Sequence, residues 1–168
     1  MNEFLEFLTD DDRQLLTETA EHRRYEPDEV ILAESEQRNA LFVIQEGAAR
    51  VERAHMEFSL EIARLEAGEL FGEMGFIEGL PASASIIADG PTTVEIIDVA
   101  HVRKLIERDA GFHGRFYQSM ARILSRRLRE TTVQSVAEYS WGGDAFDAVL
   151  DESAGTGWSG GSPLRDDP

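Results

Sequence analysis

The stretch that decides the fold spans residues 70–86 and has the sequence LFGEMGFIEGLPASASI. Its glycines at positions 72, 75 and 79 allow backbone conformations that a side chain would forbid, and they bracket a short helical turn that begins near Glu73. The first N–H groups of such a turn have no intrahelical partner and favour an anion. Pro81 ends the turn, and the alternation of small polar and apolar residues after it predicts a strand.

This order of residues resembles the phosphate-binding cassette of the cyclic-nucleotide-binding domain, the sensor shared by catabolite activators, cyclic-AMP-dependent kinase regulatory subunits and cyclic-nucleotide-gated channels. Two separate segments extend the resemblance, the hairpin at 41–51 closed by Gly47 and the approach to the cassette that begins at Gly68. The resemblance covers roughly residues 8 to 130. It implies an α+β fold in which an antiparallel, jelly-roll-like β-roll lies between N-terminal and C-terminal helices.

The resemblance also implies a ligand site. Its residues here would be Phe71, Gly72, Glu73, Met74, Ala82, Ser83 and Ala84. Backbone N–H groups would hold the anion, and the carboxylate of Glu73 would accept a hydrogen bond from a ribose hydroxyl.

One residue departs from the family pattern, because the family nearly always has an arginine after the proline and this chain has Ala82. A charged hydrogen bond contributes about 1.5–3 kcal/mol, so its loss should weaken a cyclic nucleotide by ten- to several-hundred-fold. We expect no cofactor and a cyclic nucleotide that binds weakly or not at all. Arg50, Arg53 and Arg64 lie on neighbouring strands and are candidates to supply the missing guanidinium; alternation does not single one out, and solvation is expected for all three.

The composition is strongly acidic, with 16 basic and 33 acidic residues and a net charge of −17. Such a charge opposes binding to nucleic acid and to anionic membranes. The run of arginines at 122, 126, 127 and 129 is therefore interpreted as a solvated helix face or as salt-bridge partners of the acidic body. No apolar run approaches the ~18 residues that would span a bilayer, and the acidic N-terminus does not resemble a signal peptide, which predicts a cytoplasmic location without membrane insertion.

We predict four segments along the chain. They are N-terminal helices at 1–21, a β-roll at 22–99, C-terminal helices at 100–136 and a flexible, acidic, glycine-rich tail at 137–168. Thr9 and Asp12 have the spacing of a capping box, which predicts a helix from about Asp10 to Ala20 with Leu15 and Leu16 buried.

The C-terminal helices show an apolar stripe with helical spacing. Gly111 and Gly114 predict an elbow between two helices, and residues 140–143 should break the second one. The stripe could pack within the subunit or between subunits, and comprises Phe112, Phe116, Met120, Ile123, Leu124 and Leu128.

No arrangement of residues predicts an enzyme. The four histidines show no spacing with carboxylates that would indicate a metal site, and the chain contains no cysteine. Residues 157–161 match a hydrolase Gly-x-Ser-x-Gly pattern by chance, because no histidine follows the serine.

Two functional hypotheses remain at this stage. In the first, a small anionic ligand binds the cassette and the C-terminal helices relay the event to an unidentified protein partner, with a homodimer formed through the helix at 112–128. In the second, the pocket has no small ligand and the domain is an interaction or assembly scaffold. Residues 141–150 of the chain's own tail could then fill the pocket.

Overall fold

The computed structural model describes the backbone of residues 5–56 and 58–153, and the side chains of residues 5–56 and 58–132. Four helices and eight strands follow one another in these ranges. In chain order they are α1 (Asp10–Thr17), β1 (Glu21–Tyr25), β2 (Val30–Leu32), β3 (Ala40–Glu46), β4 (Ala48–His55), β5 (Phe58–Glu66), β6 (Leu70–Phe71), α2 (Glu73–Glu78), β7 (Ser85–Ala88), β8 (Thr92–Asp98), α3 (Val99–Arg108) and α4 (Ala110–Ser153).

The strands form two four-stranded sheets with the orders β1-β8-β3-β6 and β2-β7-β4-β5. Each pairing between the strands is antiparallel. This β-roll, with helices before and after it, confirms the predicted α+β class. The apolar strand β8 is not at an edge, because it lies between β1 and β3.

Strand β3 is apolar along most of its length because both of its faces are covered. Phe42 and Ile44 belong to the core inside the roll, where the Phe42 ring stacks on Phe71 with 4.8 Å between the ring centroids. The alternate residues Leu41 and Val43 point to the opposite face and belong to a second core, formed with the helices. A strand buried on both faces loses the polar alternation of a half-exposed one.

The second core brings α1, α3 and α4 onto the first sheet. Leu16 of α1 is buried there, whereas Leu15 is 44% exposed, so the prediction that both are buried was wrong for Leu15. Four residues of the apolar stripe pack inside this core, namely Phe112, Phe116, Met120 and Ile123. Leu128, at the end of the stripe, is 69% exposed.

Two C-terminal helices are present, but the join between them is Asp109 and not the glycines. Asp109 is extended, with φ −136° and ψ 109°, and its carboxylate accepts a hydrogen bond of 2.7 Å from the N–H of Gly111. Gly111 and Gly114 both lie inside α4. An aspartate that satisfies a free N–H at a helix start ends one helix and begins another at low cost.

Helix α4 extends further than predicted. It continues through residues 140–143 and ends at Ser153, so the predicted break is absent and the part of the tail before Ala154 is helical. A glycine lowers helix stability by about 1 kcal/mol but still makes its main-chain hydrogen bonds, so two glycines need not interrupt a long helix. The rest of the predicted flexible tail lies outside the described residues.

The chain divides into two units, Met1–Leu124 and Ser125–Pro168, and the boundary falls within α4. The first unit contains both sheets and both cores. In the second, described side-chain contacts are local, such as the hydrogen bond from the Thr132 hydroxyl to the Leu128 carbonyl. Over the described ranges, no helix has both the length and the hydropathy that crossing a bilayer requires.

Candidate functional site

The segment from β6 to β7 has the geometry that its glycines predict. Gly72 precedes α2 with φ 83°, and Gly79 ends it with φ 70°, donating its N–H to the Gly75 carbonyl at 2.9 Å. A Cβ atom on Gly72 would lie 2.9 Å from the Ala40 carbonyl oxygen and 3.0 Å from the Phe42 ring. Gly72 is therefore required both by its dihedral angle and by the close approach of β3.

Two predicted site residues at the start of helix α2 differ in burial. Glu73 is 4% exposed, whereas Met74, the next residue, is 46% exposed. Phe71, immediately before Gly72, is buried in the core of the roll. The buried position of Glu73 distinguishes it from the many solvated acids of this chain and matches a carboxylate with a specific structural or binding role.

The second half of the site follows Pro81. Ala82 is partly buried; its N–H donates to the Glu36 carbonyl at 2.9 Å, and its carbonyl accepts from the Ser35 N–H at 2.8 Å. Ser83 is exposed and its hydroxyl lies 3.9 Å from the Met74 sulfur, whereas Ala84 is buried. The fold thus brings Met74 and Ser83 together, and both main-chain groups of Ala82 are bonded within the protein.

The partner of this half is the loop at 33–39, which the sequence did not indicate as part of the site. The Glu34 N–H donates to the Ser85 hydroxyl at 2.9 Å, and the Gln37 side-chain amide donates to the Gly79 carbonyl at 3.2 Å. The loop is a short polar run without periodicity, so only its tertiary contacts reveal that it supports the cassette.

Two of the three candidate arginines belong to a charge network outside the roll. Arg50 donates to Glu52 and, at 2.8 Å, to Asp28, and these hydrogen bonds raise its guanidinium pKa. Its side chain is only 20% exposed, so the expectation of a solvated Arg50 was wrong. The carboxylates of Asp28 and Glu52 compensate the charge of the guanidinium, which is partly removed from water. Arg64 pairs with Glu61 at 2.8 Å and also with Asp89.

Arg53 has a different position. Side chains alternate along β4, where Ala49 and Val51 face the core of the roll, so Arg53 falls on the same inner face. Its side chain is 67% exposed and lies 3.9 Å from the Glu34 carboxylate. Arg53 is thus the candidate whose guanidinium is held least firmly by carboxylates and whose strand position faces inward.

The comparisons with known proteins agree with this geometry. Residues 22–109, more than half of the chain, match the sequence model of the cyclic nucleotide-binding domain. The chain belongs to the cyclic nucleotide-binding domain family. The predicted resemblance is therefore confirmed.

Among curated relatives of this cyclic nucleotide-binding domain is a cAMP-dependent protein kinase regulatory subunit from Mycosarcoma maydis, 28% identical over 120 residues. A cGMP-dependent protein kinase from Eimeria tenella is 30% identical over 108 residues. These matches cover 71% and 64% of this chain but only 22% and 10% of the relatives. The chain therefore spans less than a quarter of either protein.

Solved structures show the same fold. A cyclic nucleotide-binding domain from Methylobacillus flagellatus superimposes with a TM-score of 0.74 at 22% identity, over 81% of this chain and 82% of that one. The catabolite activator protein of Thermus thermophilus gives a TM-score of 0.66 at 26% identity, over 79% of this chain and 61% of that one.

The cassette of this cyclic nucleotide-binding domain is in direct contact with both C-terminal helices. The Phe76 ring of α2 packs edge-on against Phe116 of α4 at 5.5 Å and lies 6.3 Å from the Tyr117 ring. The guanidinium of Arg103, on α3, lies over the same ring at 5.9 Å. Helix α2 thus packs directly against both α3 and α4.

Proposed function

We propose that this chain is a non-enzymatic regulatory domain in which a small anionic ligand at the cassette shifts the packing of α3 and α4. The contact of Phe76 with Phe116 and Arg103 is the observation that supports this proposal most directly. A ligand that binds one packing more tightly shifts the population toward it by that difference in affinity. A protein partner then recognises the altered helices.

The ligand class we propose is a cyclic nucleotide, bound weakly. The names of the relatives, which include cAMP- and cGMP-dependent kinases, support the class. Ala82 in place of the family's arginine, together with a net charge of −17, supports the low affinity. Arg53 on the inner face of β4 would supply the positive charge that remains near the phosphate.

The experiment is calorimetric titration of the chain with cyclic AMP and cyclic GMP, compared with Ala82→Arg. We expect Ala82→Arg to raise affinity at least tenfold, since each charged hydrogen bond of a guanidinium contributes about 1.5–3 kcal/mol. Ala82→Lys is the matched control, because it adds the charge without the planar fork and should gain less. Absence of heat at millimolar nucleotide for both the parent chain and Ala82→Arg would exclude the sensor proposal.

A second candidate function is a ligand-free interaction scaffold. The observation that favours it is the internal bonding of Ala82, whose N–H and carbonyl both pair with the loop at 33–39 and so are not available to a ligand. The same titration distinguishes the sensor from the scaffold, since we expect a scaffold to bind no nucleotide either as the parent chain or as Ala82→Arg. The idea that residues 141–150 fill the pocket concerns side chains outside the described range and stays a prediction.

A homodimer through residues 112–128 remains part of the proposal. Phe112, Phe116 and Met120 pack inside the first unit, so within that unit the surface left for a second copy would centre on Tyr117, which is 40% exposed. Sedimentation velocity of the chain over a range of concentrations measures this directly.

A further inference from the structure

Strand β5 has a free edge. It is the last strand of the sheet β2-β7-β4-β5 and, over the described residues, pairs with β4 alone. It is nine residues long, and Leu65 is its single buried residue. Long exposed edges are unusual in proteins, because they offer unpaired main-chain groups to any extended chain.

The direction of the main-chain groups follows from two hydrogen bonds on the other side of β4. The Ala54 N–H donates to the Glu34 carboxylate at 2.9 Å, so it points away from β5. Ala54 lies opposite Ser59, and opposite residues of an antiparallel pair exchange either both bonds or neither. The N–H and carbonyl of Ser59 therefore point outward.

The free edge ends before Glu66, at the other end of β5. The Ala48 carbonyl accepts from the Asp89 N–H at 3.0 Å, away from its β5 partner Glu66. The outward N–H of Glu66 is already bound by the Glu69 carboxylate at 2.8 Å. The β4–β5 register shifts by one residue between Val51 and Glu52, so the outward positions counted from Ser59 and from Glu66 are Ser59, Glu61 and Arg64, and these present the free part of the edge.

One face of this edge is apolar. Phe58 and Leu60 pair with His55 and Arg53, the positions that continue the inner face of β4 beyond Val51. They are 57% and 54% exposed. Strand β7 pairs with β4 only as far as Glu52, so, over the described residues, this part of the β4–β5 hairpin extends beyond the other strands of its sheet.

The other face is acidic. Arg50 and Arg64 are the guanidiniums of a network that contains four carboxylates, those of Asp28, Glu52, Glu61 and Asp89. Ser59 adds a hydroxyl that donates to Glu52 at 2.7 Å. The excess of two carboxylates, in a chain of net charge −17, favours a cationic neighbour over a second copy of the same chain.

We propose that the β5 edge binds an extended segment of a partner protein, with alternating apolar and basic residues, as an additional strand. Main-chain bonds to Ser59, Glu61 and Arg64 would supply affinity, and the apolar face at Phe58 and Leu60 and the acidic face would supply specificity. The proposal goes beyond the ligand-sensing function and does not depend on it, because the edge and the cassette use different residues.

The test uses the full chain and a nine-residue peptide of alternating lysine and valine with blocked ends. NMR should place the shifts on residues 58–66, and calorimetry should give the dissociation constant. Ser59→Pro removes the outward donor while leaving the pairing with β4, since proline is tolerated where an edge N–H faces solvent. We expect it to weaken binding at least tenfold. Ser59→Ala, which loses the hydroxyl but keeps the amide, should bind like the parent chain.

Peptide variants keep the test independent of whether Ser59→Pro folds. Replacing lysine by glutamate, or methylating the internal amides of the peptide, should abolish binding. Shifts that map elsewhere, equal binding of the methylated peptide, or equal binding by a folded Ser59→Pro would overturn the proposal. A dimer of the parent chain that Ser59→Pro dissociates, together with no binding of the peptide by the parent chain, would also overturn it. The edge would then serve self-association.

Discussion

Gly72 and Gly79 both adopt the left-handed region of backbone space, with φ of 83° and 70°, but their surroundings differ. A Cβ on Gly72 would meet the Ala40 carbonyl and the Phe42 ring, whereas a Cβ on Gly79 would meet nothing within 4 Å. At the residue scale, Gly79 is required only by its dihedral angle, whereas Gly72 is required by its dihedral angle and by the lack of space for a side chain.

We predict that Gly72→Ala destabilises the domain much more than Gly79→Ala. Both pay about 1–2 kcal/mol for a left-handed alanine, and Gly72→Ala adds about 1–3 kcal/mol for overpacking against β3. Urea unfolding followed by circular dichroism measures both free energies of unfolding. Equal losses for the two variants would show that β3 moves away freely, contrary to the packing described.

At the scale of elements, α1 and α4 are tied by a partly buried ion pair. Arg115 donates to the Asp12 carboxylate at 2.6 and 2.8 Å, although 103 residues separate them. Asp12 also accepts the Thr9 N–H at 2.9 Å, which completes the predicted capping box of α1. The hydrogen bonds from Arg115 are the main reason that the pKa of Asp12 is lowered to about 2.

This shift predicts a pH dependence. Because the pKa of Asp12 is lower in the folded chain than its ordinary value of 3.8, the ionised group stabilises the fold above about pH 4. The stabilisation is lost as the pH falls toward 2. Asp12→Asn should therefore cost about 2 kcal/mol at pH 7 and progressively less in acid.

Urea unfolding of both proteins between pH 2 and 7 measures the difference. Asp11→Asn is the matched control, since Asp11 lies in the same helical turn but is exposed, and it should change stability by at most about 1 kcal/mol. A loss in Asp12→Asn that does not decrease in acid would contradict the assigned role of the charge.

At the scale of the whole molecule, the net charge of −17 should oppose the compact state. Raising NaCl from about 0.05 to about 0.5 M shortens the screening length from more than ~10 Å to less than ~5 Å. We predict a rise in Tm at pH 7 of about 2–4 °C, which corresponds to about 1 kcal/mol in a chain of this size. Scanning calorimetry at the two salt concentrations measures it.

The control is the same comparison near pH 4.5, the isoelectric point, where self-repulsion is small and the salt effect should nearly vanish. A rise of the same size at both pH values would show that salt acts through apolar burial instead of charge.

The β-roll and its cassette could be predicted because their signals are local. The dihedral angles at Gly72 and Gly79, the continuous apolar run of β3 and the capping box at Thr9 each depend on residues close together in the chain. The predicted ends of the C-terminal helices were less accurate. Asp109, and not Gly111 or Gly114, separates α3 from α4, and α4 continues through the glycines at 142 and 143.

The sequence by itself determined the fold family, the position of the cassette and the absence of its arginine, since dihedral preferences and apolar periodicity are written in consecutive residues. Only the tertiary structure decided which arginines are held by carboxylates, that the main chain of Ala82 is hydrogen-bonded to the loop at 33–39, and that β5 pairs with β4 alone among the described strands. Those properties depend on residues distant in sequence, such as Glu34 and Ala54, and no local pattern specifies which of many equivalent polar side chains will meet.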